Sequence, residues 1–290
     1  MQRKFEKYVL PYLFLLPAMT LVVVFGLYPI FRNIVISFQR WNFINVPRWV
    51  GFSNYTNLFD ATLFPTVLKN TLLFCLLRIP PTIILALGLA LLLNKKLFGK
   101  EVFRSLFFTP WVVPTVNIAI LWMYILEPEY GLFNYVLGLF GIPGPGWFTS
   151  MSWALPAMAI ISIWKSAGYF CVLYIGGLQN IPDELYEAAM IDGANSWKSF
   201  WHITLPQLSP TTLFVTVILI IETFTEFDLP SVLTAGGPGN STNLIVYYIY
   251  QRAFNAFQAG SAAAISTVTL VILLIFTILQ LRLSSKYVHY

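Results

Sequence analysis

A chain of 290 residues that is 58% hydrophobic, 17% aromatic and only 10% charged is no soluble globular domain, since those sit near 45–50% apolar and about 25% charged. The shortage of charge is what hydrocarbon demands, because each Lys, Arg or Asp at a helix centre costs roughly 2.5–3.5 kcal/mol on insertion scales. The formal net charge of +5 does not point to nucleic acid: the basic residues gather at the ends of apolar segments, as anchoring to a cytoplasmic membrane face requires.

In chain order, a basic start (Arg3, Lys4, Lys7) leads into an apolar run over Val9–Phe31. That run is longer than the 7–15 residues of a signal-peptide core, and no small-x-small cleavage site follows closely, so it reads as a retained first span. Roughly 20 apolar residues cross a hydrocarbon core about 30 Å thick. Further spans are expected at Thr66–Leu93, Leu106–Leu126, Trp153–Gly177, Pro210–Phe227 and Ala262–Leu283, the fifth interrupted by Glu222 and Glu226. Between the third and fourth, Gly131–Phe140 is too short to span, and its apolar residues suggest a helix lying in the outer interface. Cys75 and Cys171 fall inside spans and read as small buried residues. With no internal repeat or linker, residues 1–290 are expected to form a single transmembrane domain.

Lys and Arg set the sidedness. The second connection carries Lys95, Lys96, Lys100 and Arg104, the connection over residues 179–209 carries Lys198, and the tail carries Arg282 and Lys286. The opposite side keeps Arg40, Arg48 and Arg252 clear of span ends, and Glu127–Ser152 has no basic residue. The positive-inside bias therefore puts both termini and the 179–209 connection in the cytoplasm. Trp41, Trp49, Trp147 and Trp153 near outer boundaries, with Trp197 and Trp201 inside, resemble an aromatic belt.

The 179–209 connection is polar and long for a membrane loop. Ile181-Pro182-Asp183-Glu184 reads as a helix start, with Pro in the first turn and acids at the positive end. Good helix formers follow to Asp192, and Gly193 can take the left-handed conformation that stops a helix. Asn195 or Ser196 can cap a second helix running toward Ile203, which Pro206 is expected to end. Glu187-Ala188-Ala189, Gly193 four residues on, and Ile203-Thr204-Leu205-Pro206 resemble the coupling-loop signature of binding-protein-dependent ABC importer permeases.

The resemblance extends over most of the chain. Asn70-Thr71, Phe227-Asp228, Leu233-Thr234-Ala235-Gly236-Gly237-Pro238, Ser241-Thr242 and Tyr248–Phe254 look like the sugar-importer branch of that family, in particular the maltose-type F subunit or its glycerol-phosphate counterpart. The chain lacks the extra N-terminal spans and large periplasmic insertion of the maltose protein. The resemblance implies an all-α membrane protein of the type I ABC importer permease fold, with six transmembrane helices and a cytoplasmic coupling-helix loop. It implies a bacterial plasma (inner) membrane location, a second homologous permease subunit, an ATPase subunit dimer and an extracytoplasmic substrate-binding protein. Carried over by position, Glu187, Ala188, Ala189, Asp192 and Gly193 make the ATPase contact.

No Gly-x4-Gly-Lys-Ser/Thr phosphate loop occurs in the sequence. No cofactor is expected on this chain, ATP and Mg belonging to the partner ATPase, and His202 and His289 form no metal site. Ionisable groups within spans are functional candidates. Glu222 and Glu226 share one helix face with Thr223 and Thr225 nearby, and Ser162, Lys165, Ser166 and Tyr169 form a second polar stripe. Both are expected to face one water-filled cavity, since sugars need hydroxyl partners and an aromatic face. Aligned through the coupling loop, Ser162, Lys165, Ser166, Tyr169, Glu222 and Thr223 resemble substrate-lining positions of the maltose F subunit, and Glu226 shares the Glu222 face. The opposing reading is a Lys165–Glu pair that only staples two helices, with Arg78 structural. The leading function is an ATP-driven permease subunit for a sugar, oligosaccharide or related polyol derivative. The alternative is a self-contained proton-coupled secondary transporter, against which six spans without a visible repeat argue. A membrane enzyme lacks a catalytic constellation.

Overall fold

The computed structural model describes residues 10–95 and 98–287. Arg3, Lys4, Lys7 and Lys96, on which part of the sidedness rests, lie outside the described residues, as do Val9, His289 and the side chain of Lys286. Helix α1 runs from Leu10–Leu21 through a π-helical stretch, Val22–Leu27, into Tyr28–Ser37. A short antiparallel hairpin pairs β1 (Gln39–Arg40) with β2 (Arg48–Trp49), and α2 (Ser53–Asp60) follows. Then come α3 (Leu63–Leu93), α4 (Lys100–Val112), α5 (Thr115–Ile125), α6 (Leu132–Leu139), α7 (Ala154–Gln179) and α8 (Asp183–Ile191). The chain closes with α9 (Ser196–Gln207), α10 (Ser209–Phe224), α11 (Asp228–Leu233), α12 (Ile245–Tyr250) and α13 (Ala259–Tyr287).

Four helices are long and apolar enough to cross a bilayer unaided: Tyr12–Ser37 within α1, α3, α7 and Ala259–Arg282 within α13. Phe14 and Phe25 of α1 are 76% and 75% exposed; a rod so apolar on its open face belongs in hydrocarbon, where its backbone bonds are all satisfied internally. The expected third span is not straight. It is broken into α4 and α5, which diverge by 98°. The cause is Pro114, which forces the preceding residue out of the helical region, and Val113 is indeed extended at ψ 133°. The fifth span also ends earlier than expected: α10 stops at Phe224, and Thr225–Phe227 are non-helical before α11.

The chain divides into two compact units, one holding residues up to Thr62 with Ile249–Leu270, the other Leu63–Tyr248 with the chain from Val271 on. In the first, Asn33 of α1 donates to the Ala263 carbonyl (3.3 Å) and the Thr267 hydroxyl (3.2 Å) of α13. Asn54 of α2 donates to the carbonyls of Ser37 and Gln39, tying the hairpin to the helix before it.

The second unit is built on α3 and α7. Ala86 and Ala90 of α3 pack with Phe170, Cys171 and Tyr174 of α7, and Leu208, Val215 and Leu219 complete the cluster from the α9–α10 side. Lipid is as apolar as these side chains, so close packing of small residues, rather than escape from water, holds such helices together. Gly168 of α7 is the extreme case. A β-carbon there would collide with the Phe107 carbonyl of α4, so glycine alone permits the two backbones to approach. A second cluster joins Phe74 of α3 and Met158 and Ile161 of α7 to Ile118 of α5 and Leu229 and Leu233 of α11.

The Leu233–Asn243 segment is ordered by its own polar groups. The hydroxyls of Thr234 and Thr242 meet at 2.6 Å, and Thr242 also lies 2.7 Å from the Gly237 carbonyl. Asn70 of α3 donates to the Asn240 carbonyl at 2.7 Å, and the Ile245 amide donates to the Thr71 hydroxyl at 3.1 Å. The Asn70-Thr71 and Gly-Gly-Pro motifs, far apart in sequence, thus meet in one hydrogen-bonded knot.

Candidate substrate cavity and coupling loop

The breaks between α4 and α5 and between α10 and α11 open onto one cavity of about 280 Å³. Its wall takes Arg78 from α3, Trp111 and Thr115 from the two sides of the α4–α5 bend, and Ser162, Lys165 and Ser166 from α7. The end of α10 and the start of α11 add Glu222 and Thr225 to Leu229. Irregular backbone at membrane depth is tolerated where it lines such a space.

Glu222 and Glu226, four residues apart, converge on a single cation. Arg78 Nη2 donates to Glu222 Oε2 at 2.9 Å, and Nη1 lies 3.8 Å from Glu226 Oε2. Arg78 is 4% exposed, Glu226 13% and Glu222 26%. The other oxygen of Glu226 accepts from the Leu229 amide at 3.3 Å, a carboxylate at the positive start of α11. Lys165 is not in this ion pair. Its ammonium stands 4.9 Å from the centroid of the Trp111 ring, a cation–π contact, and Trp111 in turn stacks on Tyr169 with centroids 4.3 Å apart.

The expected residues therefore divide. Ser162, Lys165, Ser166, Glu222 and Glu226 reach the wall. Tyr169 lies off the wall and stacks on Trp111, which lines it. Thr223 is fully buried, its hydroxyl donating to the Leu219 carbonyl of its own helix, and it lies off the wall. The opposing reading of a Lys165–Glu staple is not met, because both carboxylates pair with Arg78, read from sequence as structural. Trp111, Thr115 and Asp228 were missed as wall residues. The signal for Arg78 was its charge within a span; for Trp111 and Thr115 it was Pro114 between them, which turns the chain so that both face one space.

In the 179–209 loop, α8 ends as the glycine predicts. Gly193 has φ +78°, the Gly193 amide donates to the Met190 carbonyl and the Ala194 amide to the Ala189 carbonyl, the paired bonds of a Schellman stop. Asn195 is the cap of α9, its side chain accepting from the Lys198 amide at 2.9 Å. Pro206 does not end α9. A π-helical stretch, Phe200–Thr204, precedes it, so Pro206 sits where the regular i→i−4 ladder is already interrupted, and the 62° bend falls between Gln207 and Ser209. The loop is footed by Ile181 and Leu208, both buried with α3 and α7, and by a 2.9 Å hydroxyl contact between Tyr186 and Thr204. Its tip stays open: Glu187, Ala188, Asp192 and Gly193 are exposed, Ala189 partly so, and Met190 and Ile191 are 64% and 87% exposed.

Residues 82–289 match the family of binding-protein-dependent transport system inner membrane components. The chain belongs to that family. The permease is 37% identical over 251 residues to the probable ABC transporter permease protein YurN of Bacillus subtilis, covering 85% of this chain and 86% of that one. It is 37% identical over 243 residues to the trehalose/maltose transport system permease protein MalF of Thermococcus litoralis, covering 83% and 82%. The sulfoquinovosyl glycerol transport system permease protein SmoG of Agrobacterium fabrum is 36% identical over 241 residues, covering 82% and 78%. A solved bacterial ABC transporter involved in import of the acidic polysaccharide alginate superimposes with a TM-score of 0.83 at 25% identity, over 98% of each chain. The permease is thus a multi-pass helical protein of an ABC importer in the inner membrane, and the reading as a self-contained carrier falls.

Proposed function

We propose that the permease, residues 1–290 acting as one transmembrane domain, carries a sugar, oligosaccharide or related polyol derivative into a bacterial cell. It works with a second, homologous permease subunit, on an ATPase dimer that binds and hydrolyses ATP with Mg, and receives solute from an extracytoplasmic binding protein. The observation that carries this reading is the polar cavity at two helix breaks inside an otherwise apolar helical unit, in a chain 36–37% identical to permeases of trehalose/maltose and sulfoquinovosyl glycerol transport. Ser162, Lys165, Ser166, Glu222 and Glu226 offer hydroxyls and charges to solute hydroxyls, Tyr169 braces Trp111, and Thr223 holds the helix behind the wall.

The exposed tip of α8 is the ATPase contact. Ala188 and Ala189 admit a close surface, Met190 and Ile191 give it apolar area, Glu187 and Asp192 offer carboxylates, and Gly193 holds the stop that orients them. Closure of the ATPases on ATP would pull this tip, and the footing of the loop on α3 and α7 passes the movement to helices that carry the cavity. Both termini and the loop face the cytoplasm in this scheme. The decisive test is ATP hydrolysis by the purified complex in nanodiscs: a solute-loaded binding protein should stimulate it several-fold. Solute uptake by the permease alone, driven by a proton gradient without ATPase subunits, would overturn the proposal.

A further inference from the structure

Two arginines face each other on the β1–β2 hairpin. The register pairs Arg40 directly with Arg48, so both side chains leave the same face of the ribbon, from Cα atoms about 4.5–5.5 Å apart. Like charges so placed destabilise a strand pair. Nothing nearby offsets them: both residues are exposed, and neither guanidinium has an ion-pair or hydrogen-bond partner among the described residues. The described residues of that compact unit hold Asp60 as their one acid, against Arg32, Arg40, Arg48 and Arg252.

The hairpin is held in place. Asn54 ties down the Ser37 and Gln39 carbonyls, and the Gly260 amide of α13 donates to the Trp41 carbonyl at 3.4 Å. A β-carbon on Gly260 would strike the Gln39 carbonyl. At the tip, the Asn42 side-chain oxygen accepts from the Ile44 and Asn45 amides. Two unpaired guanidiniums on such a base make a forked donor set for an oxyanion. Depth selects which anion. Arg40 lies just past Ser37, where the span from Tyr12 ends; three extended residues reach about 10 Å, into the headgroup layer that flanks the hydrocarbon. Trp49 and Phe52, 66% and 70% exposed, bring aromatic rings to that level, and Ile44 and Val46 at the tip are 82% and 83% exposed. Cations set among exposed apolar side chains suit a membrane surface.

Resting on the reading of α1 as a membrane span, we propose that Arg40 and Arg48 together bind the phosphate of an anionic phospholipid. The contact anchors the hairpin, and with it the start of α13, at the membrane boundary. The test uses the complete importer in phosphatidylcholine nanodiscs, freed of other cysteines (Cys75 and Cys171 included) and carrying bimane on Val46→Cys. Phosphatidylglycerol or phosphatidylcholine, spin-labelled near the glycerol end of one acyl chain, is added in increasing fraction and quenching is read. Phosphatidylglycerol should quench at about tenfold lower fraction than phosphatidylcholine. Arg40→Gln/Arg48→Gln should abolish the preference. Arg40→Lys/Arg48→Lys should keep part of it, since the charge survives and the bidentate fork does not. Where the double Gln variant fails to assemble, either single Gln variant should lower the preference in the same direction. Bimane on Phe98→Cys, in the other compact unit, should respond alike with and without the hairpin substitutions. Equal quenching by the two lipids at position 46, or a preference that survives Arg40→Gln/Arg48→Gln, would overturn the proposal. Quenching by neither lipid there would also overturn it and give the arginines to an acidic protein surface. Bimane on Phe31→Cys, 64% exposed on α1, separates the failures. If both lipids quench it, the span reading stands and the lipid site alone is wrong; if neither does, the span reading itself falls.

Discussion

At the scale of single residues, Arg78, Glu222 and Glu226 pair with one another inside the apolar unit. Removing one member of a buried ion pair is worse than removing all, because the survivor keeps its desolvation cost without its partner. Arg78→Leu leaves Glu222 and Glu226 facing each other and should cost about 3 kcal/mol, near the low end of the range because Glu222 is partly exposed. The thermal midpoint of the purified complex should drop accordingly. Arg78→Leu/Glu222→Leu/Glu226→Leu should regain most of that midpoint while uptake stays absent, since its polar contacts are gone. If uptake returns in the triple variant, the charges are a staple and no more. Gly168 makes an independent prediction. Gly168→Ala pushes a methyl into the Phe107 carbonyl and should destabilise by roughly 1–3 kcal/mol through overpacking, lowering the yield of assembled complex, whereas Gly176→Ala, with open space at that position, should be silent.

At the scale of elements, the coupling loop shows what local chemistry can specify. Gly193→Asp places a β-carbon at φ +78°, worth about 1–2 kcal/mol of strain, and should unseat the α8 tip. ATP-driven uptake should fall to background with the protein still membrane-inserted and its co-purifying ATPase reduced. Wild-type uptake by Gly193→Asp together with Glu187→Lys would remove the contact from this loop. The loop was legible in the sequence because its signals are short-range: the Pro182 start, the Asn195 cap and the Gly193 stop each act within a few residues. The long apolar rods were legible for a similar reason, and their ends fell within about four residues of expectation, except that α1 runs on to Ser37 where Phe31 was expected. What escaped was decided by contacts between distant segments or by proline geometry within a span. Val113-Pro114 broke a stretch whose composition alone reads as continuous. Arg78 and Glu222, 144 positions apart in sequence, are brought together by the packing of α3 against α10, which no spacing rule conveys. Pro206 misled because a π-helical stretch absorbed the lost hydrogen bond.

At the scale of the whole molecule, function depends on which membrane face each loop meets. Of the described basic residues at loop level, Lys95, Lys100, Arg104 and Lys198 sit at the ends expected in the cytoplasm, whereas Arg40, Arg48 and Arg252 and the acidic connection from Glu127 sit at the other. A potential across the membrane and anionic lipid inside favour that arrangement. The α8 tip can touch an ATPase only if it emerges on the side that holds ATP. Met190, 64% exposed at that tip, is therefore the informative position. With Cys75 and Cys171, the free cysteines in the spans, replaced by Ala, Met190→Cys should resist an impermeant maleimide added to intact cells and react within inverted vesicles. Leu139→Cys, on the 68% exposed face of α6, should show the opposite pattern. Assembly with the ATPase should shield the first site and leave the second open, since the proposed contact covers only the first of them. Labelling of the Met190 position from outside intact cells would invert the molecule and remove the ATPase from its tip. Labelling from the inside without shielding by the ATPase would keep the orientation but move the coupling contact to another part of the 179–209 loop.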